Sequence, residues 1–253
     1  MFPLFDDNPR LGWPLVTALL IVLNALAWVF LQGMGFDQRA LAGSFCHFGL
    51  IPADLLGIAP EGTRVHLGST LYCVIDGVPG WLSVFSSMFM HGGWMHIVGN
   101  LWFLWVFCDN VEDAMGPLRF TLFYLLGGVA AAAAQVLSDP ASTVPMVGAS
   151  GAIGAVMGAY AVLYPRARVQ TLIFLGIWIT RVPVPAFVML GYWFLLQLLG
   201  GLPALGGQGG GVAFWAHIGG FVAGLVLAPL MRSRARIERL QSLRATDWRE
   251  RSF

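Results

Sequence analysis

Ser150, His217, His96 and Asn100 are the side chains whose types and surroundings could do chemistry here. Ser150 stands near the start of Val147–Tyr160, a run of almost wholly small, apolar residues that carries one aliphatic hydroxyl. A serine hydroxyl is a weak nucleophile until a base takes its proton, and His217, in equally glycine-rich surroundings, is the candidate base. His96 and Asn100 are four apart and so share one face of a helix. Together with the Ser150 backbone N–H they are donors of the kind that stabilise a tetrahedral oxyanion. No Asp or Glu falls inside the apolar segments around these residues, so the expected arrangement is a Ser–His dyad without a carboxylate. His91 and His96 lack a third ligand or an HExxH pattern, so neither a metal nor another cofactor is expected. His91 reads instead as a structural residue at a loop-to-helix junction.

The elements that must position these residues are apolar helices. The chain has 253 residues, 57% hydrophobic and 11% charged, against about 25% charged in ordinary soluble domains. Apolar runs near 11–31, 93–107, 118–137, 147–164, 184–199 and 212–231 predict six membrane spans. The fold class expected is an all-α membrane protein, a six-helix bundle whose short glycine-rich central helix carries the serine. Residues 1–231 form one domain, with a partly interfacial outer loop at 32–80, followed by a basic tail at 232–253. The apolar stretch bracketed by Arg166, Arg168 and Arg181 is too short to cross and return, and reads as interfacial. Gly148, Gly151, Gly154 and Gly158 on the fourth span, and Gly220 and Gly224 on the sixth, are expected to let helix backbones approach closely.

All basic residues are arginines, and all but Arg39 and Arg64 fall on the side that holds both termini. Positive-inside bias makes that side cytoplasmic. No cleavable leader is expected, since Asp6 and Asp7 precede the first apolar run. Spans two, four and six then begin on the extracytoplasmic side. That places His96, Asn100, Ser150 and His217 at one depth, about one to two turns inside their helices. Polar groups at such depth must face one another or water. Cys46 and Cys73 share the outer loop whereas Cys108 lies at the cytoplasmic end of span two, so only the first pair is expected to form a disulfide. A net charge near zero argues against nucleic acid, and the absence of a charged pair within the spans argues against a transporter.

Three stretches resemble the rhomboid family of intramembrane serine proteases. Gly148-Ala149-Ser150-Gly151 is similar to its GxSG motif, Ala216–Gly224 to its AHxxGxxxG pattern, and His91–Asn100 to its HGGxxHxxxN stretch. The resemblance implies a serine endopeptidase with Ser150 as nucleophile, His217 as general base, and His96 with Asn100 stabilising the oxyanion. It implies substrates that are single-span membrane proteins, cut near the extracytoplasmic face of what we expect to be a bacterial inner membrane. The partners implied are these substrates and the lipid bilayer, with no metal or nucleic acid. It also sets Gly200–Gly211 where the family has a mobile cap. Two positions depart from the pattern: Trp81 is followed by Leu82 rather than Arg, and Gly154 stands where some members stack an aromatic on the base. The alternative is a catalytically inactive rhomboid-like protein that binds transmembrane helices.

Overall fold

The computed structural model describes residues 1–67, 71–76, 80–175, 178–204 and 212–250. In chain order the elements are β1 (Phe2–Asp6), α1 (Leu15–Phe30), α2 (Gln38–Phe48), α3 (Pro52–Leu55), β2 (Arg64–His66), β3 (Tyr72–Val74) and α4 (Ser83–Ser86). Next come α5 (Trp94–Phe103), α6 (Asp109–Met115), α7 (Pro117–Ser138), α8 (Ser150–Leu163), β4 (Arg168–Leu175) and β5 (Trp178–Pro185). The last are α9 (Ala186–Ala204), α10 (Phe214–Met231) and α11 (Arg234–Glu250). The helices α7, α9 and α10 are long and apolar enough to cross a membrane, while α1 and α8 are shorter apolar helices.

The helix α8 is the axis of the molecule. Every residue from Gly151 to Tyr160 is buried, because α7 and α10 press on it through faces without side chains. A Cβ on Gly220 would collide with the Gly151 carbonyl oxygen, and one on Gly224 with that of Ala155. On the other flank, a Cβ at Gly127 of α7 would strike Ala155. Backbones that approach so closely gain dispersion contacts along the whole crossing, the term that drives helix association in lipid. Tyr164-Pro165 then stops the helix, since the residue before a proline is pushed out of the α region.

The second predicted span is longer than expected. It does not end at Phe107 but runs on through a π-helical turn, Leu104–Cys108, into α6. The polar cluster at 109–113 is buried there, because each carboxylate has a partner from elsewhere in the chain. Glu112 accepts from the backbone N–H groups of Val16 and Thr17, both at 2.9 Å, and from the Thr17 hydroxyl. It thereby satisfies the first turn of α1, which has no intrahelical acceptors. Asp113 accepts from Leu11 N–H at 2.7 Å, and Asp109 pairs with Arg10 at 2.6 Å. The left-handed Gly116 (φ +84) ends α6, and Pro117 opens α7 with a φ already suited to a helix.

The all-α expectation is corrected: the fold is mostly helical but contains two small sheets. The stretch read as interfacial is an antiparallel hairpin, β4–β5, with β1 added to give the order β1-β4-β5. Val169, Thr171 and Val184 are buried on one face, the period-2 alternation of a half-covered strand. Pro183 and Pro185 are tolerated because β5 is an edge. The segment at 32–80, read above as the outer loop, holds α2 and α3 together with the pair β2–β3. Its small core is Ile51, Val65, Cys73 and Ile75, and Cys46 and Cys73 are joined in a disulfide. Asp37 caps α2 by accepting from Arg39 and Ala40 N–H.

The helix α9 extends past its predicted end at Leu199 through Ala204. The rest of the expected cap, residues 205–211, lies outside the described residues. The tail is a helix that returns to the bundle: Arg236 donates to the Asp113 carbonyl at 2.6 Å, and the Arg244 guanidinium sits 5.4 Å from the Tyr164 ring.

Candidate active site

Ser150 is the first residue of α8, not a turn or more inside it. The N-terminal N–H groups of a helix have no intrahelical carbonyl to bond, so the Ser150 amide is a free donor by position. The chain reaches Ser150 along a path fixed by backbone bonds. Leu50 and Met146 exchange two, at 3.0 and 2.7 Å, and Gly148 N–H donates to the Ser87 carbonyl at 2.9 Å. Gly148 is corrected from its expected packing role. It precedes the helix with φ +127, a conformation that side chains rarely adopt, and a Cβ there would lie 2.6 Å from His96 Nε2 and 3.4 Å from Ser150 Oγ. The space that this glycine leaves open is therefore flanked by both functional atoms. The other glycines named above, Gly151, Gly154, Gly158, Gly220 and Gly224, do lie in helices at close approaches.

His217 sits one turn into α10, with Nε2 at 2.8 Å from Ser150 Oγ. The start of α10 is held by Gln135 of α7, whose side-chain oxygen accepts from Ala216 N–H at 3.2 Å. On the far side of the ring, His217 Nδ1 lies 2.8 Å from Oε1 of Gln197 on α9. Gln197 Nε2 faces the Trp193 carbonyl at 3.3 Å, which leaves the amide oxygen turned to the histidine. An acceptor at Nδ1 selects the tautomer that carries its proton there and leaves the Nε2 lone pair free for the serine hydroxyl. Trp193 also packs on the ring, with centroids 5.9 Å apart. It fills the place of the aromatic that Gly154 cannot supply, since a Cβ at Gly154 would already lie 2.9 Å from the His217 carbonyl oxygen.

His96 and Asn100 lie on α5, as their spacing predicts. Gly92 N–H donates to His96 Nδ1 at 3.1 Å, so the neutral ring bears its proton on Nε2, the atom beside Gly148. Asn100 is buried, and its Nδ2 has no hydrogen-bond partner among the described residues. A buried donor left unpaired costs about 1–3 kcal/mol, which makes an acceptor arriving there favourable. The turn before α5 is clamped by the buried Gln32: its Nε2 donates to the His91 carbonyl at 2.9 Å, and its Oε1 accepts from His91 N–H at 2.8 Å. His91 itself is fully buried, and burial, with His96 beside it, pushes its pKa down to about 3. It is a neutral packing residue. A small cavity beside Ser150 is lined in part by Ser87, Met88, Gly128, Met146 and Ala213.

Gln197, Gln135, Trp193 and Gln32 were not singled out by the sequence. The one available signal was an isolated amide four residues after a tryptophan in an otherwise apolar helix, since an uncovered polar group in a bilayer needs a partner.

A serine hydroxyl on a helix terminus, a histidine nitrogen within hydrogen-bonding distance of it and an unpaired donor nearby are groups suited to acyl-transfer chemistry. Residues 79–234, more than half of the chain, match the Rhomboid domain, and the protein belongs to the rhomboid family. It is 26% identical over 176 residues to Rhomboid protein 1, mitochondrial, of Saccharomyces cerevisiae, covering 67% of this chain and 47% of that protein. It is 30% identical over 166 residues to Rhomboid-related protein 2 of Mus musculus, covering 61% of this chain and 49% of that one. The match to Rhomboid protease GluP of Bacillus subtilis is 30% over 139 residues, 55% of this chain and 26% of the relative. The chain thus spans less than half the length of these relatives.

Proposed function

We propose that the protein is an intramembrane serine endopeptidase acting through a Ser150–His217 dyad. The observation that carries this reading is the 2.8 Å separation of Ser150 Oγ and His217 Nε2. His217 takes the hydroxyl proton as Oγ bonds to the scissile carbonyl carbon. The carbonyl electrons move onto oxygen, where His96, Asn100 and the Ser150 N–H donate to it. His217 then returns the proton to the leaving amine, and water, deprotonated by the same imidazole, releases the acyl group from Ser150.

The substrates are single-span membrane proteins cut near the extracytoplasmic face. The chain crosses a bacterial inner membrane six times, with residues 1–231 as one domain and both termini in the cytoplasm. No metal or cofactor takes part. An inactive helix-binding relative is the second reading, and the presence of both dyad residues in hydrogen-bonding contact speaks against it. The test is cleavage of a panel of single-span substrates by purified protein, with labelling by a fluorophosphonate. Ser150→Ala and His217→Ala should each abolish both while the protein stays folded in detergent. Unchanged cleavage by Ser150→Ala would remove the nucleophile and the proposal with it.

A further inference from the structure

We infer that Gln197 is the third member of the catalytic arrangement, a positioning residue on α9 that sets the tautomer and orientation of His217. This inference rests on the dyad reading above. A histidine that must accept a proton at Nε2 needs its other nitrogen protonated, and something must accept from it. In serine hydrolases with a triad that acceptor is a carboxylate. Among the described residues no Asp or Glu is a hydrogen-bond partner of His217, whose ring nitrogens face Ser150 on one side and Gln197 on the other.

The amide is suited to the place in three ways. It is buried, at 9% exposure, which limits the competition from water at Nδ1. Its orientation is fixed by the bond from Nε2 to the Trp193 carbonyl one turn earlier, so the oxygen rather than the nitrogen is presented. The same turn supplies Trp193 against the ring, so one face of α9 holds the imidazole by both a hydrogen bond and packing. A neutral acceptor also avoids placing a net charge in a membrane, where a carboxylate is costly. The Ser–His dyad is in this sense a Ser–His–Gln triad with an uncharged third member.

The experiment compares wild type, Gln197→Leu and Gln197→Glu in detergent micelles, using one single-span substrate and Ser150→Ala as control. Gln197→Leu keeps the volume and removes the acceptor. Its kcat is expected to fall about 10–100-fold with KM unchanged, less than the ~10²–10⁴ attributed to a whole general base. Gln197→Glu restores an acceptor and should raise kcat at least about ten-fold above the leucine variant, a rescue that a purely structural role does not predict. Nitrogen-15 spectra of the His217 ring should report a protonated Nδ1 in the wild type and a mixed tautomer in Gln197→Leu. A wild-type ring protonated at Nε2 overturns the inference without recourse to any variant. So does a leucine variant with wild-type kcat, or one that changes KM alone. If Ser150→Ala still cleaves, the dyad itself has failed; if Ser150→Ala is dead and Gln197→Leu is fully active, only the role of Gln197 has.

Discussion

At the scale of single residues, the site is defined as much by what is left unpaired as by what is bonded. Asn100 holds a buried donor without a partner among the described residues, a cost that an oxyanion would relieve. Such a donor acts on the transition state more than on the substrate, because charge appears on the carbonyl oxygen only during the reaction. Asn100→Ala is therefore expected to lower kcat by about 10²–10³, roughly 3–4 kcal/mol, with KM nearly unchanged. Steady-state kinetics on one substrate checks it; wild-type turnover would remove Asn100 from the oxyanion site. His91 makes a different prediction. Its folded pKa of about 3 lies below the ordinary 6.5, so as pH falls between those values the unfolded chain takes up a proton that the folded one refuses. Stability should fall on acidification through that window, by at most about 1.4 kcal/mol per pH unit from this residue. Thermal melts of wild type and His91→Phe from pH 7 to pH 4 should show a shallower decline in the variant.

At the scale of elements, the crossing of α8 and α10 is the contact on which the dyad depends, because Ser150 begins one helix and His217 lies a turn into the other. Gly224→Ala would drive a methyl into the Ala155 carbonyl. Overpacking of this kind costs about 1–3 kcal/mol, and here it would also widen the 2.8 Å gap at the far end of the crossing. The variant should melt lower and lose fluorophosphonate labelling, whereas Gly191→Ala on α9, with nothing within 4 Å of the added Cβ, should do neither. The helices were legible in the sequence because long apolar runs have few alternatives. Ser150 and His217 were legible because each stands in a local glycine pattern. Gln197 was not, since its partner lies on the next helix and nothing beside it in sequence points there. The hairpin was missed for a related reason: β4 is completed by Phe2–Asp6 from the other end of the chain. The burial of the α6 carboxylates was not legible because Arg10, Thr17 and Arg236, which accommodate them, are equally remote.

At the scale of the whole molecule, the two ends of the bundle are fastened by different chemistry. One end is held by ionic and hydrogen-bonded contacts among the amino-terminal segment, α6 and α11. The end that carries the site is tied through the outer loop, where the Cys46–Cys73 disulfide spans 27 residues. Closing a loop of that length restricts the unfolded chain by about 3–4 kcal/mol in the chain-entropy view. Reduction, or Cys46→Ser with Cys73→Ser, is expected to lower the melting temperature. Cys108→Ser should respond to reductant just as the wild type does, since that thiol is free and buried and takes no part in the bond. Mass spectrometry of unreduced protein after alkylation should find Cys46 and Cys73 protected.

The length of α8 bears on a reactant that hydrolysis needs and that lipid excludes. Its 14 residues rise only about 21 Å, while the hydrocarbon layer is about 30 Å thick. Arg166 and Arg168, exposed just beyond its carboxyl end, fix that end among the headgroups. The shortfall of roughly 9 Å therefore falls on the side of the serine. In the proposed orientation a helix that stops short beneath the surface leaves room above Ser150, where the unpaired Asn100 donor would favour water from the aqueous side. On the proposed reading, the brevity of this one helix is what would bring a hydrolytic water to a bond that lipid would otherwise shut off.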